Sequence, residues 1–452
     1  MKKLIIIVVT LSVFSLAKAQ GPEVTSWIQN TTETGTYYAA GNPELIENNI
    51  LVNCQQVEYS DDYVYISSTG VPAYPTGPFQ DGNPSQATNQ DRIYRINRNP
   101  EQGSGEENTT PGPIGVFING VALYDYRDGV AWNPNTNALC GGPGNPPCPG
   151  GMGSAQDWNR DAIPAEMEGF DCAKGHPAMG DYHHHQNPMA FDMDLVELSD
   201  VCDLYSADGL YVINEDEHSP LIGFAFDGFP IYGAYGFFNA DGTGEITRIK
   251  SGYQLRDITE RTHHADGTEV DNGPDISTTY ELGYFREDYE WVSHDTDDYL
   301  DQHNGRWCIT PEYPNGTYAY FCTVDEDWNS AYPYAVGPTF YGNYENGTLD
   351  NISENTTIYT GSDEVFELEN TEFSVFPNPA SELIIIQQKS LAKENITVEL
   401  VDSQGKTLLT EVIKTGSTLN YLDVSSIYSG TYFIRISSSN GLKIEEVLIV
   451  RE

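Results

Sequence analysis

The chain is 452 residues long and 39% hydrophobic, with 67 acidic against 22 basic residues and a net charge of -45. That length accommodates two globular domains, and 30 Tyr with 42 Gly and 26 Pro favour strands and turns over long helices, so the expected fold is mainly β. The acidity excludes nucleic acid as a partner: residues 20–372 hold 12 Lys and Arg against 58 Asp and Glu, leaving no basic surface to neutralise phosphates.

At the N-terminus, Lys2 and Lys3 precede an apolar stretch from Leu4 to Leu16 and then Ala17-Lys18-Ala19. A charged start, an apolar core and an A-x-A site predict a secretory signal peptide over residues 1–19, cleaved after Ala19. No later run of about 18 apolar residues predicts a transmembrane segment, so the mature protein is expected outside the cytoplasm.

Seven cysteines in an exported chain predict disulfides with at least one thiol left over. Cys140 and Cys148 bracket the Gly- and Pro-rich loop CGGPGNPPC and are expected to join. The segment WCITPEYPNGTYAYFC reads as two strands around Pro314-Asn315-Gly316; with Tyr313 facing Thr317, Cys308 falls opposite Cys322, which predicts a second bridge. Cys54, Cys172 and Cys202 remain, one of them free.

The surplus carboxylates form a solvated surface or, in part, Ca²⁺ sites, since hard cations take oxygen ligands. The candidate loops are FNADGTGEI around Asp241 and HDTDDYLD around Asp297, neither with EF-hand spacing. Residues 343–372 are polar and rich in Asn and Thr, as expected of a linker.

From Phe373 the chain shows alternating apolar positions such as Ile384 and Ile386, with turns at Ser403-Gln404-Gly405 and Asn440-Gly441, a pattern that predicts a small antiparallel β-sandwich over 373–452. FPNP at 376–379, DSQGK at 402–406, LDVSSIYSGTYFIRI at 422–436 and the terminal VLIV resemble the type A C-terminal sorting domain of the type IX secretion system of Bacteroidota. The resemblance implies that residues 373–452 engage that machinery and that the product is secreted or held at the cell surface.

Within residues 20–342, expected to form one large β-rich domain, four segments resemble the YHYH family of exported proteins. They are DCAKGHPAMGDYHHHQNP at 171–188, LIGFAFDGFPIYGAYG at 221–236, LDQHNGRWCITPEYPNGTYAYF at 300–321 and YPYAVGPTFYG at 332–342. The name motif departs from its pattern, with His184 in place of the second tyrosine, and the later echo GTYAYF lacks histidine. The shared Gly-x-Tyr frame suggests two related strands. On a strand, His183 and His185 share one face while Tyr182 and His184 take the other, and the echo presents Ala319 and Phe321 where the first strand presents imidazoles.

Such a pair is half of a Zn²⁺ or Cu²⁺ site. In the segments that carry the resemblance, His176 is the nearest third ligand, with Asp227, Asp301 and His303 as weaker candidates. Each has a structural reading: His183 and His185 as hydrogen-bonded core residues, Asp227 as a cap on the Gly228 and Phe229 amides, and Asn304-Gly305 as a hairpin turn. His184 is expected to face solvent or to pack as the tyrosine it replaces, and Arg306 to pair with a carboxylate. No G-x-S-x-G, H-E-x-x-H, phosphate-cradling loop or dinucleotide fingerprint occurs. Two functions therefore stand: a secreted metal-binding protein, or a non-enzymatic extracellular protein whose loops bind a glycan or polymer over a structural His/Tyr scaffold.

Overall fold

The structure is a computed structural model and describes residues 20–42, 44–79, 85–142, 144–151, 156–188, 215–360, 373–388, 396–401, 407–415, 417–438 and 441–451. The expected signal peptide and Cys202 lie outside these residues. The chain divides into a large unit, Gln20–Thr360, and a C-terminal unit whose described residues begin at Phe373. Both are mainly β, and among the described residues no helix is long and apolar enough to cross a membrane.

An eight-stranded sheet organises the large unit. Its strands are β1 (Pro113–Phe117), β2 (Ala122–Tyr124), β3 (Gly175–Ala178), β4 (Asp181–His184), β5 (Leu221–Ala225), β6 (Pro230–Tyr232), β7 (Gly305–Cys308) and β8 (Thr317–Phe321), in the order β3-β4-β2-β1-β5-β6-β8-β7. That order reads the same from either edge. The hairpin β1-β2, PIGVFINGVALY, matches β5-β6, LIGFAFDGFPIY, and both carry a bulge at the same place in register. β4 runs parallel to β2 as β8 does to β6, and the outer hairpins pair identically, with His176 opposite His183 where Arg306 stands opposite Ala319. The two halves meet at the antiparallel pair β1-β5.

The same turn enters each outer hairpin. Asp171 and Asp301 accept from the amides of Gly175 and Gly305 at 3.1 and 3.3 Å, and the hydroxyls of Tyr182 and Tyr318 donate to both oxygens of these carboxylates at 2.8–3.0 Å. A Cβ on Gly175 or Gly305 would meet those tyrosine side chains at 2.4 Å, so glycine is required at both. Asp301 is thus the counterpart of Asp171, a turn-closing carboxylate, and the Gly-x-Tyr echo corresponds to equivalent strands.

One face of the sheet, with Val116, Phe224, Ala319 and Phe321, shares a core with Val57, Val64, Ile66 and Ile96 of a five-stranded sheet. The opposite face buries Phe117, Ile231, Tyr318 and Tyr320. Thr348–Leu349 and Thr357–Tyr359 are edge strands of the five-stranded sheet, so two short stretches of the linker expected over 343–372 pair with the large unit, and residues 361–372 lie outside the described residues. Backbone pairing needs no apolar run, so a polar segment can supply an edge.

Cys140 and Cys148 are joined, with Cα atoms 4.8 Å apart. Cys308 and Cys322 are not: both are buried free thiols, as is Cys54, and Cys172 is disulfide-bonded. The expected hairpin register is slipped. Cys308 faces Thr317, because the connection between β7 and β8 is a loop over 309–316 rather than a tight turn at Pro314-Asn315-Gly316. In the C-terminal unit, a three-stranded and a four-stranded antiparallel sheet share a core that includes Ile384, Ile386, Val398, Ile434 and Val447.

Candidate metal centre

The site lies at the edge of the sheet, on β3 and on β4 with the residue that follows it. Cross-strand pairing sets His176 against His183, and the two-residue strand period puts His185 on the same face. The three Nε2 atoms converge, with His176 to His183 at 3.1 Å, His183 to His185 at 3.1 Å and His176 to His185 at 3.4 Å. A tetrahedral ion bound at about 2.0–2.1 Å from each nitrogen has ligand-to-ligand edges of about 3.3 Å, so the triad matches that size without rearrangement.

Tautomers decide what these nitrogens offer. The Nδ1 of His183 lies 2.7 Å from the Asp181 carbonyl oxygen, and the Nδ1 of His185 lies 2.6 Å from that of Asp125. A carbonyl only accepts, so each Nδ1 carries the proton and each Nε2 presents a lone pair. Burial holds all three imidazoles neutral: it depresses His183 well below its ordinary range, His176 to about 3 and His185 to about 4. Neutral His183 and His185 therefore aim two lone pairs at each other across 3.1 Å. His176 can supply a single proton to that cluster, whereas a cation satisfies all three nitrogens at once.

Surrounding groups fix the rings. Tyr124 stacks on His183 with centroids 3.9 Å apart, and its hydroxyl donates to Asp181, which Arg92 also grips at 2.7 Å. Phe170 packs edge-on against His176 at 4.9 Å. Hydrogen bonds from the second nitrogen to carbonyls, as here at Asp181 and Asp125, are the support that metal-binding imidazoles characteristically have.

A carboxylate that no sequence motif marks stands beside two of the three histidines. Glu166 caps the short helix Ala162–Ala165, and its Oε2 lies 3.4 Å from His176 Nε2 and 3.5 Å from His185 Nε2. It precedes His176 by ten residues in a chain with 67 acidic positions, so nothing in its local pattern marks it.

The other candidates lie apart from this cluster. His184 points to the opposite face, fully buried, with Nε2 2.8 Å from the Tyr74 hydroxyl and Nδ1 3.0 Å from the Lys174 carbonyl; it packs inside rather than facing solvent. Asp227 accepts from the Tyr320 hydroxyl at 2.6 Å and the amides of Gly342 and Phe229 at 2.9 and 3.3 Å. Asp301 closes its turn, and His303 Nδ1 lies 2.6 Å from the Thr339 hydroxyl. Asp241 and Asp297 accept the amides of Thr243 and Ala240, both at 3.0 Å. Arg306 binds the carbonyls of Phe237, Phe238 and Asp297 and lies over the Phe321 ring, so carbonyls replace the expected carboxylate. Among the described residues, His176, His183 and His185 form the group of His, Cys, Asp or Glu side chains gathered closely enough for an ion.

Comparison with known families assigns both units. The family model described as YHYH protein matches residues 93–333, and that described as secretion system C-terminal sorting domain matches residues 374–451. No curated protein matches the chain. The sorting domain makes the chain a client of the type IX secretion machinery, exported to the cell surface or beyond it.

Proposed function

The chain belongs to the YHYH protein family, and from that premise we propose that its large unit is an exported binding site for one transition-metal ion, zinc or copper, held by His176, His183 and His185. One observation carries the reading: the two Nε2 lone pairs of His183 and His185 face each other at 3.1 Å, both Nδ1 protons being committed to carbonyls. Such an arrangement is repulsive when empty and favourable around a cation. Imidazole nitrogen suits both Zn²⁺ and Cu²⁺.

The duplicated sheet supports the assignment by contrast. Where the first half has His176, His183 and His185, the second has Arg306, Ala319 and Phe321 on the same frame. The fold therefore forms without imidazoles at these positions, and their presence in one half points to a role other than closing the sheet.

The test is elemental analysis of the untagged protein beginning at Gln20, grown with Zn and Cu available. One equivalent of metal is expected, and none in His183→Ala/His185→Ala. A folded, metal-free wild type would sink the reading.

A further inference from the structure

We propose that Asp181, held by Arg92 and Tyr124, is a positioning residue of this centre that fixes the bearing of His183 and through it the strength and geometry of metal binding, an inference that rests on the three-histidine reading above. Asp181 acts on His183 twice. Its carbonyl oxygen takes the Nδ1 proton at 2.7 Å, which leaves the Nε2 lone pair for an ion. Its Oδ2 accepts from the hydroxyl of Tyr124, whose ring stacks on that imidazole at 3.9 Å and 23°. One residue therefore governs both the edge and the face of the ligand ring. Arg92 closes the strap from the other side: it reaches the same Oδ2 at 2.7 Å from the strand Arg92–Asn97 of the five-stranded sheet, so the anchor of His183 lies outside its own sheet. The Asp181 and Arg92 side chains are 10% and 21% exposed, and a pair so far buried is little screened by salt.

The duplicated sheet separates this role from folding. Tyr232 is the counterpart of Tyr124, and Thr317 that of Asp181. In the second half the tyrosine is present but the strap is not. Tyr232 donates to Glu312 at 2.9 Å and meets the Thr310 hydroxyl at 2.8 Å, while the Thr317 hydroxyl donates to the Tyr318 carbonyl at 3.1 Å. The sheet, its hairpins and its tyrosine thus form without a carboxylate at this place. The carboxylate and its arginine occur in the half that has the imidazoles, and on the face that carries them, since Asp181, His183 and His185 are spaced by two along the chain. Metal-bound imidazoles depend on such outer partners, whose loss weakens binding about 10–100-fold.

Titration of the untagged protein beginning at Gln20 with Co(II) reads affinity, and the visible bands of the bound ion read ligand geometry. The wild type is expected to bind one Co(II). Tyr124→Phe keeps the stacked ring and removes only the hydroxyl tie; it should still bind one, at least about tenfold more weakly and with shifted bands. Asp181→Ala should lose more, and Asp181→Asn, which keeps an oxygen to accept from Tyr124, should fall between Asp181→Ala and the wild type. Tyr232→Phe removes the equivalent hydroxyl from the second half and is expected to keep wild-type affinity and bands. Wild-type affinity or unshifted bands in Tyr124→Phe overturn the proposal and leave the three-histidine site standing. An equal loss of affinity in Tyr124→Phe and Tyr232→Phe also overturns it, because the loss then follows stability rather than the strap. Should Asp181→Ala fail to fold by circular dichroism, the two tyrosine variants decide alone. Failure of the wild type to bind Co(II) removes both readings together.

Discussion

His183 and His184 are sequence neighbours with opposite environments, and the alternation of a strand is sufficient to say so. That much of the site was legible: period two separates the imidazoles that meet His176 from the one that meets Tyr74. The difference is testable. His184→Tyr, which restores the tyrosine of the name motif, should keep the full metal equivalent, whereas His183→Ala alone should lose most of it. Both are buried, so both will shift the melting temperature; only metal content separates them. Equal loss in the two variants would mean that the opposite-face assignment has no functional meaning. Glu166 was not legible by the same logic. No periodicity connects it to β3 or β4, and its approach depends on where a short helix stops and the chain turns toward Asp171.

At the scale of elements, the short helix Ala162–Ala165 that carries Glu166 is started by Asp161, whose carboxylate accepts the Ile163 amide at 2.9 Å and the Tyr334 hydroxyl at 2.6 Å. Burial outweighs these two donors and pushes the carboxyl from 3.8 up to about 8. The sign follows: between pH 4 and 8 the folded state keeps a proton that the unfolded state has released, so this contribution is full below the unfolded value and lost as pH rises toward the folded one. Asp161→Asn keeps a capping oxygen and removes the titration. Urea melts of the metal-free protein from pH 5 to 8 should lose the corresponding slope, at most about 1.4 kcal/mol per pH unit. An unchanged slope would place the titration elsewhere. The outer hairpins show why element-level reading fails where it does. The tight β3-β4 connection at Met179-Gly180 leaves one register available, but the longer β7-β8 loop leaves several, and pairing Cys308 with Cys322 selects the wrong one. The duplication that would have corrected it is in the sequence, yet Ile114, Gly115, Gly120 and Tyr124 alone recur identically, as Ile222, Gly223, Gly228 and Tyr232, across the twelve-residue hairpins. Their equivalence emerges once strand pairing is known.

For the whole molecule, the consequential question is where the large folded domain ends within the exported product. Composition ends it at residue 342, because the following residues are polar and read as a linker. Pairing says otherwise: Thr348–Leu349 closes one edge of the five-stranded sheet against Ile93 and Tyr94, and Thr357–Tyr359 closes the other against Val57 to Tyr59. Just before the first of them, Gly347 lies so close to the Phe226 ring that a Cβ there would stand 2.2 Å from it, and Glu345 pairs with Arg95 at 3.1 Å and accepts the Tyr63 hydroxyl at 2.9 Å. A chain cut after Gly342 exposes two sheet edges and uncovers Phe226, whose burial alone contributes roughly 1.5–3 kcal/mol. A chain cut after Thr360 keeps every one of these contacts. We therefore expect residues 20–360 to melt at the temperature of the large unit in the full-length protein and to retain its metal, and residues 20–342 to melt at least several degrees lower and to aggregate through the open edges. Differential scanning calorimetry of the two fragments decides it. Equal melting temperatures would show that the strands after residue 342 contribute nothing to the stability of the exported unit.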